Sequence, residues 1–242
     1  MKTKILIVLF ITVAVCSCTR RSNNFKDRNS TSSTEINNTT IATEDNSSSI
    51  IPSESESATL DATEIFDRYN SAVFMIFTSD GFNQFQGSGF FVNKDGLAVS
   101  NYHVFEGTGI GLETVKLSNG KQYKVKEIVA KSKDYDYIIF KVDVSGTCNY
   151  IPIAERNCKV GEKVFTIGSP RGLENTFSSG EISQLRGNHV IQINAPIDHG
   201  SSGGALINEY GEAIGITSAG YDNSGANLNF ALDIFALKNH LR

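Results

Sequence analysis

From about Leu60 onward the chain is a series of short β-branched and aromatic runs, each closed by glycine, asparagine or serine. A helical bundle needs apolar residues recurring every 3.6 positions or so over long windows, and only Leu60–Asn70 shows that spacing, as one short amphipathic helix. Everything after it reads as strand and turn. Val73–Phe77, Phe85–Val92, Ala98–Tyr102, Val115–Leu117, Lys121–Ala130 and Tyr137–Val142 form a first set whose spacing suggests a closed barrel. Asn119-Gly120 between two of them is a strong hairpin signal. Ser145–Tyr150 reads as the crossing to a second set: Lys163–Ile167, Thr176–Gln184, His189–Ala195, Gly204–Ile207, Ala213–Ser218 and Asn227–Leu232. In the last of these Leu228, Phe230 and Leu232 alternate with small or polar residues, as a strand with one buried face requires. Asp233 is positioned to cap a terminal helix reaching about Leu241.

The first 59 residues cannot join that core. Lys2 and Lys4 precede an apolar run, Ile5–Val15, too short to span a bilayer and matching the hydrophobic region of an export signal. In Val15-Cys16-Ser17-Cys18 a small residue precedes Cys18, the pattern of a bacterial lipoprotein box; Cys16 is the second candidate for lipidation, and plain cleavage with release is the alternative. Residues 1–17 are therefore expected to be a signal peptide, with a lipid anchor to the membrane at Cys18. Between Ser30 and Ile50, 14 of 21 residues are Ser, Thr or Asn. That composition is too polar to offset the entropy of ordering, so 18–59 is expected to be a disordered tether to a domain at 60–242. A net charge of −4 without any basic run argues against a nucleic-acid partner, and no cofactor or metal-binding cluster is apparent.

Three stretches carry chemistry. Asp198-His199-Gly200-Ser201-Ser202-Gly203-Gly204 sets serines in a glycine-flanked turn, where backbone N–H groups of Gly200, Ser201 and Ser202 can converge on one point. Gly87-Ser88-Gly89-Phe90 and the following strand lead to Ser100-Asn101-Tyr102-His103, which leaves a histidine at a strand end as a candidate general base. Asp134-Tyr135-Asp136 opens an apolar strand, and either aspartate could accept an imidazole N–H. The competing reading of the serine stretch is an ordinary surface turn, since Ser and Gly are common turn residues.

In the order His, Asp, Ser, these stretches resemble the chymotrypsin-like serine proteases, and most closely the HtrA (Deg) family. GSGF, SNYHV, DYIIFKV and GSSGGAL stand where that family has related motifs, and Val164–Leu173 with Ser179–Ser183 is similar to a further block. The resemblance covers about Leu60 to the C-terminus. It implies an all-β fold of two six-stranded antiparallel barrels with a C-terminal helix, and a serine endopeptidase of the cell envelope acting on unfolded or extended polypeptides. It also implies Ser202 as nucleophile, preferred over Ser201 because it directly precedes Gly-Gly, with His103 as base and Asp136, preferred over Asp134, as orienting acid. Gly200, Ser201 and Ser202 would supply the oxyanion hole. The pocket would have Pro196 and Ile197 as floor and Thr217, Ser218, Ala219 and Gly220 as walls. No acidic residue stands where Lys or Arg would be selected and no histidine replaces Thr217, so cleavage after small or medium apolar residues is expected. A non-catalytic peptide-binding module on the same fold is the alternative.

Relatives commonly carry PDZ domains after the protease, and none is expected within this chain. The short Thr78–Gln86 loop leaves the oligomeric state open. His189, His199 and His240 are read as surface or packing residues. Cys148 and Cys158, the two cysteines outside the export segment, are either disulfide-bonded or free and buried.

Overall fold

The computed structural model describes residues 58–109, 111–169, 175–218 and 228–241. The expected signal peptide, Cys16, Cys18, nearly all of the tether, Pro170–Leu173, Ala219 and Gly220 lie outside the described residues. All described residues belong to the second of two contact units, Ser53–Arg242. Among them no helix is long and apolar enough to cross a membrane.

The unit begins with α1 (Ala62–Tyr69), started by a capping box in which Asp61 accepts from the Glu64 N–H and Glu64 returns the bond to the Asp61 N–H. Its buried face, Ile65 and Tyr69, packs on the second barrel, and the Leu60 N–H is held by the Glu209 carbonyl at 2.7 Å.

Strands β1 (Val73–Ser79), β2 (Gln84–Phe91), β3 (Leu97–Ser100), β4 (Thr114–Leu117), β5 (Gln122–Ser132) and β6 (Tyr137–Val142) close a first antiparallel barrel in the order β1-β2-β3-β6-β5-β4. A second barrel is closed by β7 (Lys163–Gly168), β8 (Thr176–Arg186), β9 (Val190–Ile193), β10 (Ala205–Asn208), β11 (Ala213–Ser218) and β12 (Asn229–Asp233), in the order β10-β11-β12-β9-β8-β7. The expected double barrel is thus what the chain forms.

Period-2 geometry explains why several strands carry consecutive apolar residues. On β2 and β3, Phe90 and Val99 face a core shared between the barrels, while their neighbours Phe91 and Ala98 face the interior of the first barrel. On β6 Ile139 joins the shared core, and Ile138 and Phe140 turn inward. Phe165, Ile167, Ala205, Ile207 and Ile216 complete the shared core from the second barrel. Each fully buried Phe or Ile adds roughly 1.5–3 kcal/mol, so the shared layer fixes one barrel against the other.

Two expectations need correction. The C-terminal segment is not one α-helix but two successive 3₁₀ turns, Ile234–Ala236 and Lys238–His240. Asp233 does cap the first, accepting from the Phe235 N–H at 2.9 Å. Ile234 and Leu237 are fully buried, and their three-residue spacing suits a 3₁₀ turn.

Cys148 and Cys158 are both free. Cys148 packs against the first barrel's cluster, with its Sγ donating toward the Asn93 carbonyl at 3.4 Å, whereas Cys158 is buried in the second barrel's cluster. Proximity in sequence does not bring them together because the crossing runs between the barrels.

Candidate active site

His103 is presented by a sharp local change of backbone. β3 ends at Ser100, Asn101 is extended, and Tyr102–Val104 makes one 3₁₀ turn. Burial of Val104 and Phe105 pins that turn, and Thr78 Oγ1 donates to the Val104 carbonyl at 2.9 Å. The histidine between these anchors stays accessible, its side chain 43% exposed.

Asp136, not Asp134, meets it. Oδ2 lies 2.8 Å from His103 Nδ1, and Oδ1 accepts the His103 backbone N–H at 2.9 Å. A carboxylate beside Nδ1 favours the tautomer with the proton there, which leaves Nε2 as a proton acceptor. Asp136 itself sits in the left-handed region, φ 53°, one of the few places a non-glycine residue adopts it. The Asn101 Nδ2–H donates to the Asp136 carbonyl at 3.0 Å and holds that backbone.

Ser202 comes from the second barrel, on the turn that leads into β10. Asp198–Ser201 is a four-residue turn closed by the Ser201 N–H on the Asp198 carbonyl at 3.0 Å, with Gly200 at its third position and φ 95°. Positive φ there is the requirement of a type II turn, which glycine meets without strain. The carbonyl of Ser201, which shares a peptide plane with the Ser202 N–H, is held by Thr217 Oγ1 at 2.8 Å and the Gly204 N–H at 2.9 Å. Ser201 packs over Gly168, whose missing side chain leaves the room: a Cβ there would stand 3.1 Å from Ser201 Cβ.

One expected donor is therefore corrected. The Ser201 N–H closes the turn and is not available to an oxyanion, which leaves the N–H groups of Gly200 and Ser202 as candidates.

The turn is seated on the first barrel. The Ser88 N–H donates to the Ser202 carbonyl at 2.8 Å, and Ser100 Oγ, three residues before His103, donates to the Ser88 carbonyl at 2.7 Å. Gly203 (φ 89°) is the point of closest approach, since a Cβ there would collide with the Ser88 carbonyl and Ser100 Oγ. The Ser202 turn is thus bonded to the strands that lead to His103, although a Ser202 Oγ–His103 bond is not among those of the described residues. Such bonds are often long before substrate arrives.

Of the other expected site residues, Pro196 is exposed and its carbonyl accepts from Ser178 Oγ at 2.7 Å, and Ile197 packs on the second barrel's cluster. Thr217 is buried, its hydroxyl committed to Ser201 as above, while Ser218 lines a cleft of about 620 Å³ beside Asp136 with Tyr135, Val190 and Phe230. His199 is exposed. Sequence reasoning missed Ser88, Ser100, Asn101 and the hydroxyl of Thr217; a small polar residue inside an otherwise apolar strand was the available signal.

Two closed six-stranded antiparallel barrels sharing one core, with a His–Asp pair on the first and a glycine-flanked serine on the second, define the chymotrypsin-type architecture. The family model described as trypsin-like peptidase domain matches residues 87–216, and the chain belongs to that family. It is 35% identical over 159 residues to a probable periplasmic serine endoprotease DegP-like of Rhizobium meliloti, covering 62% of this chain and 31% of that protein. To the chloroplastic protease Do-like 1 of Arabidopsis thaliana it is 35% identical over 164 residues, covering 62% and 37% respectively. The chain spans about a third of the length of these two relatives. The crystal structure of a serine endoprotease from Yersinia pestis superposes with a TM-score of 0.67 at 26% identity, covering 75% of this chain and 65% of that one.

Proposed function

We propose that this chain hydrolyses polypeptides by acyl transfer, with Ser202 as nucleophile, His103 as general base and Asp136 as the group that orients the imidazole. Ser202 Oγ attacks the peptide carbonyl carbon while His103 Nε2 takes its proton. The oxyanion that forms is received by the N–H groups of Gly200 and Ser202, each donor of this kind being worth about 3 kcal/mol of barrier. His103 then gives the proton to the leaving amine, the C–N bond breaks, and water hydrolyses the acyl-enzyme by the same steps in reverse. The observation that carries this reading is the two-oxygen grip of Asp136 on His103.

The substrate is an extended polypeptide cleaved after a small or medium apolar residue, in a pocket bounded by Pro196, Ile197 and Thr217–Gly220. The site of action is the bacterial cell envelope, supported by the periplasmic relatives and by the export segment, with Cys18 as the lipid anchor.

Reaction with a fluorophosphonate probe, followed by mapping of the labelled peptide, tests the chemistry. Label on Ser202, lost in Ser202→Ala without change of fold, is the expected result; an unlabelled native protein or label on Ser201 overturns the assignment. A peptide-library profile dominated by Arg or Glu at the cleaved position overturns the specificity.

A further inference from the structure

The mechanism requires a serine on one barrel to meet a histidine on the other, and the shared apolar core alone is a poor ruler for that distance. Apolar packing is non-directional, while proton transfer is sensitive to displacements of an ångström. A directional link between the barrels at the site itself is therefore worth looking for. One residue supplies it.

Ser88 is fully buried in β2 and turns its hydroxyl and its N–H toward the neighbourhood of Ser202. Its Oγ donates to the Gly200 carbonyl at 2.7 Å and accepts the Ser169 N–H at 2.9 Å. Its N–H donates to the Ser202 carbonyl at 2.8 Å, and its carbonyl accepts from Ser100 Oγ at 2.7 Å. Ser88 thus holds the turn at residues 200 and 202, on either side of the nucleophile's own N–H, from the strand pair that leads to His103. Gln86, two residues earlier on the same face of β2, adds a bond from Nε2 to the Ser169 carbonyl at 2.8 Å. A plain strand residue could make the two backbone bonds. The hydroxyl is what ties the Gly200 carbonyl to the first barrel, and together with Gln86 it holds Ser169 at the end of β7.

We propose that the Ser88 hydroxyl is a positioning residue for the peptidase reaction: it sets the register of the Ser202 turn against His103 across the barrel interface. This rests on Ser202 and His103 acting as proposed above. Without the hydroxyl the Gly200 carbonyl and Ser169 N–H lose their buried partner, and the turn settles where they find another. The packing that makes the fold is left in place.

The test compares Ser88→Ala with wild type in kcat and KM for an apolar peptide substrate, with kcat expressed per site titratable by the fluorophosphonate. A loss of kcat of about 10- to 100-fold is expected, with KM within about threefold and the labelling rate constant falling in parallel. Asn208→Ala is the control for mere destabilisation, since buried Asn208 caps the β10–β11 turn through bonds to Tyr210 and Glu212. It should lower the melting temperature and keep the per-site kcat. Ser88→Cys keeps the size and offers a weaker donor, so its per-site kcat should lie between wild type and the alanine variant.

A per-site kcat for Ser88→Ala within about twofold of wild type overturns the inference. If Ser88→Ala does not fold, wild-type kcat in Ser88→Cys overturns it, and a loss of kcat at unchanged KM supports it. Absence of Ser202 labelling in the wild type removes the peptidase reading and this inference with it; normal labelling in wild type and Ser88→Ala alike removes only the inference.

Discussion

Asp136 holds His103 by two different atoms at once, the ring Nδ1 at 2.8 Å and the backbone N–H at 2.9 Å. With both oxygens engaged, the ring's position and its tautomer are set by one side chain. Asn101 in turn fixes the strained backbone of Asp136, so the ring is oriented through a chain of three residues.

Asp136→Asn separates orientation from electrostatics. The amide can keep one oxygen on the His103 N–H, but its NH₂ then faces Nδ1 and forces the ring proton to Nε2, where it blocks the base. Loss of about 10⁴ in kcat is expected, the size of effect known for the same change in a serine protease triad. Thermal unfolding should be nearly unchanged. A variant within tenfold of wild-type kcat would show that Asp136 does not set the tautomer.

Gly203→Ala attacks the same site from the serine side. The residue has φ 89°, and a methyl group would overlap the Ser88 carbonyl and Ser100 Oγ, both rigid parts of the first barrel. The turn must move away, so fluorophosphonate labelling of Ser202 should fall below detection while circular dichroism still reports the barrels. Retained labelling at the wild-type rate would mean that the seating of the turn on Ser88 is unimportant for reactivity.

Strand positions were legible in the sequence because both faces are buried over residues 90–92, 98–99 and 137–140, which leaves short apolar runs bounded by turn or polar residues. The ends of β5 and β8 were not. Lys131, Leu185 and Arg186 are exposed and Ser132 is half-buried, so although all four pair in the ladder, and Arg186 also donates to Gln192 Oε1, their side chains give no apolar alternation. The terminal segment has helical spacing in Ile234 and Leu237, but spacing does not distinguish an α turn from a 3₁₀ turn. In the site, His103, Asp136 and Ser202 stood out as reactive types in glycine-rich or strand-end settings. Ser88 acts through its hydroxyl across the barrel interface on Gly200, more than 100 positions away, and Thr217 through its hydroxyl on Ser201 within the second barrel; no local pattern reveals either partner. The Cys148–Cys158 pairing remained open for the same reason, since it depends on which barrel each thiol enters.

The thiols give a chemical check on the fold. Burial pushes Cys148 up from its ordinary value, and burial first, with the carboxylates of Asp233 and Glu162 adding, pushes Cys158 up to about 11. Both are therefore thiols at pH 8, and the thiolate is the reactive form. Iodoacetamide at pH 8 should modify neither in the native protein and both in denaturant, and the intact mass should not respond to reductant. The sign of the linkage follows: native Cys158 keeps its proton up to about 11 while the unfolded thiol releases it near 9.0, so this group lowers stability as pH rises above about 9. A mass lower by two hydrogen atoms in the absence of reductant, mapped to a peptide pair holding Cys148 and Cys158, would place the two sulfurs in a bond and contradict the packing.

Asp233 offers the opposite end of the pH scale. Burial raises its carboxyl above the ordinary 3.8, with the Phe235 N–H bond and the charge of His189 opposing. The folded state thus binds the proton more tightly than the unfolded chain, so the group's contribution to stability is greatest in acid and declines as pH rises through the window just above 3.8. Asp233→Asn removes the charge and keeps an oxygen for the Phe235 N–H. Urea unfolding at pH 7 should show a more stable variant, because the desolvated charge is gone and the cap of the terminal 3₁₀ turn remains. Below pH 3.8 wild type and variant should converge. A variant less stable than wild type at pH 7 would mean that the charge is needed, and that the field of His189 outweighs desolvation at this strand end.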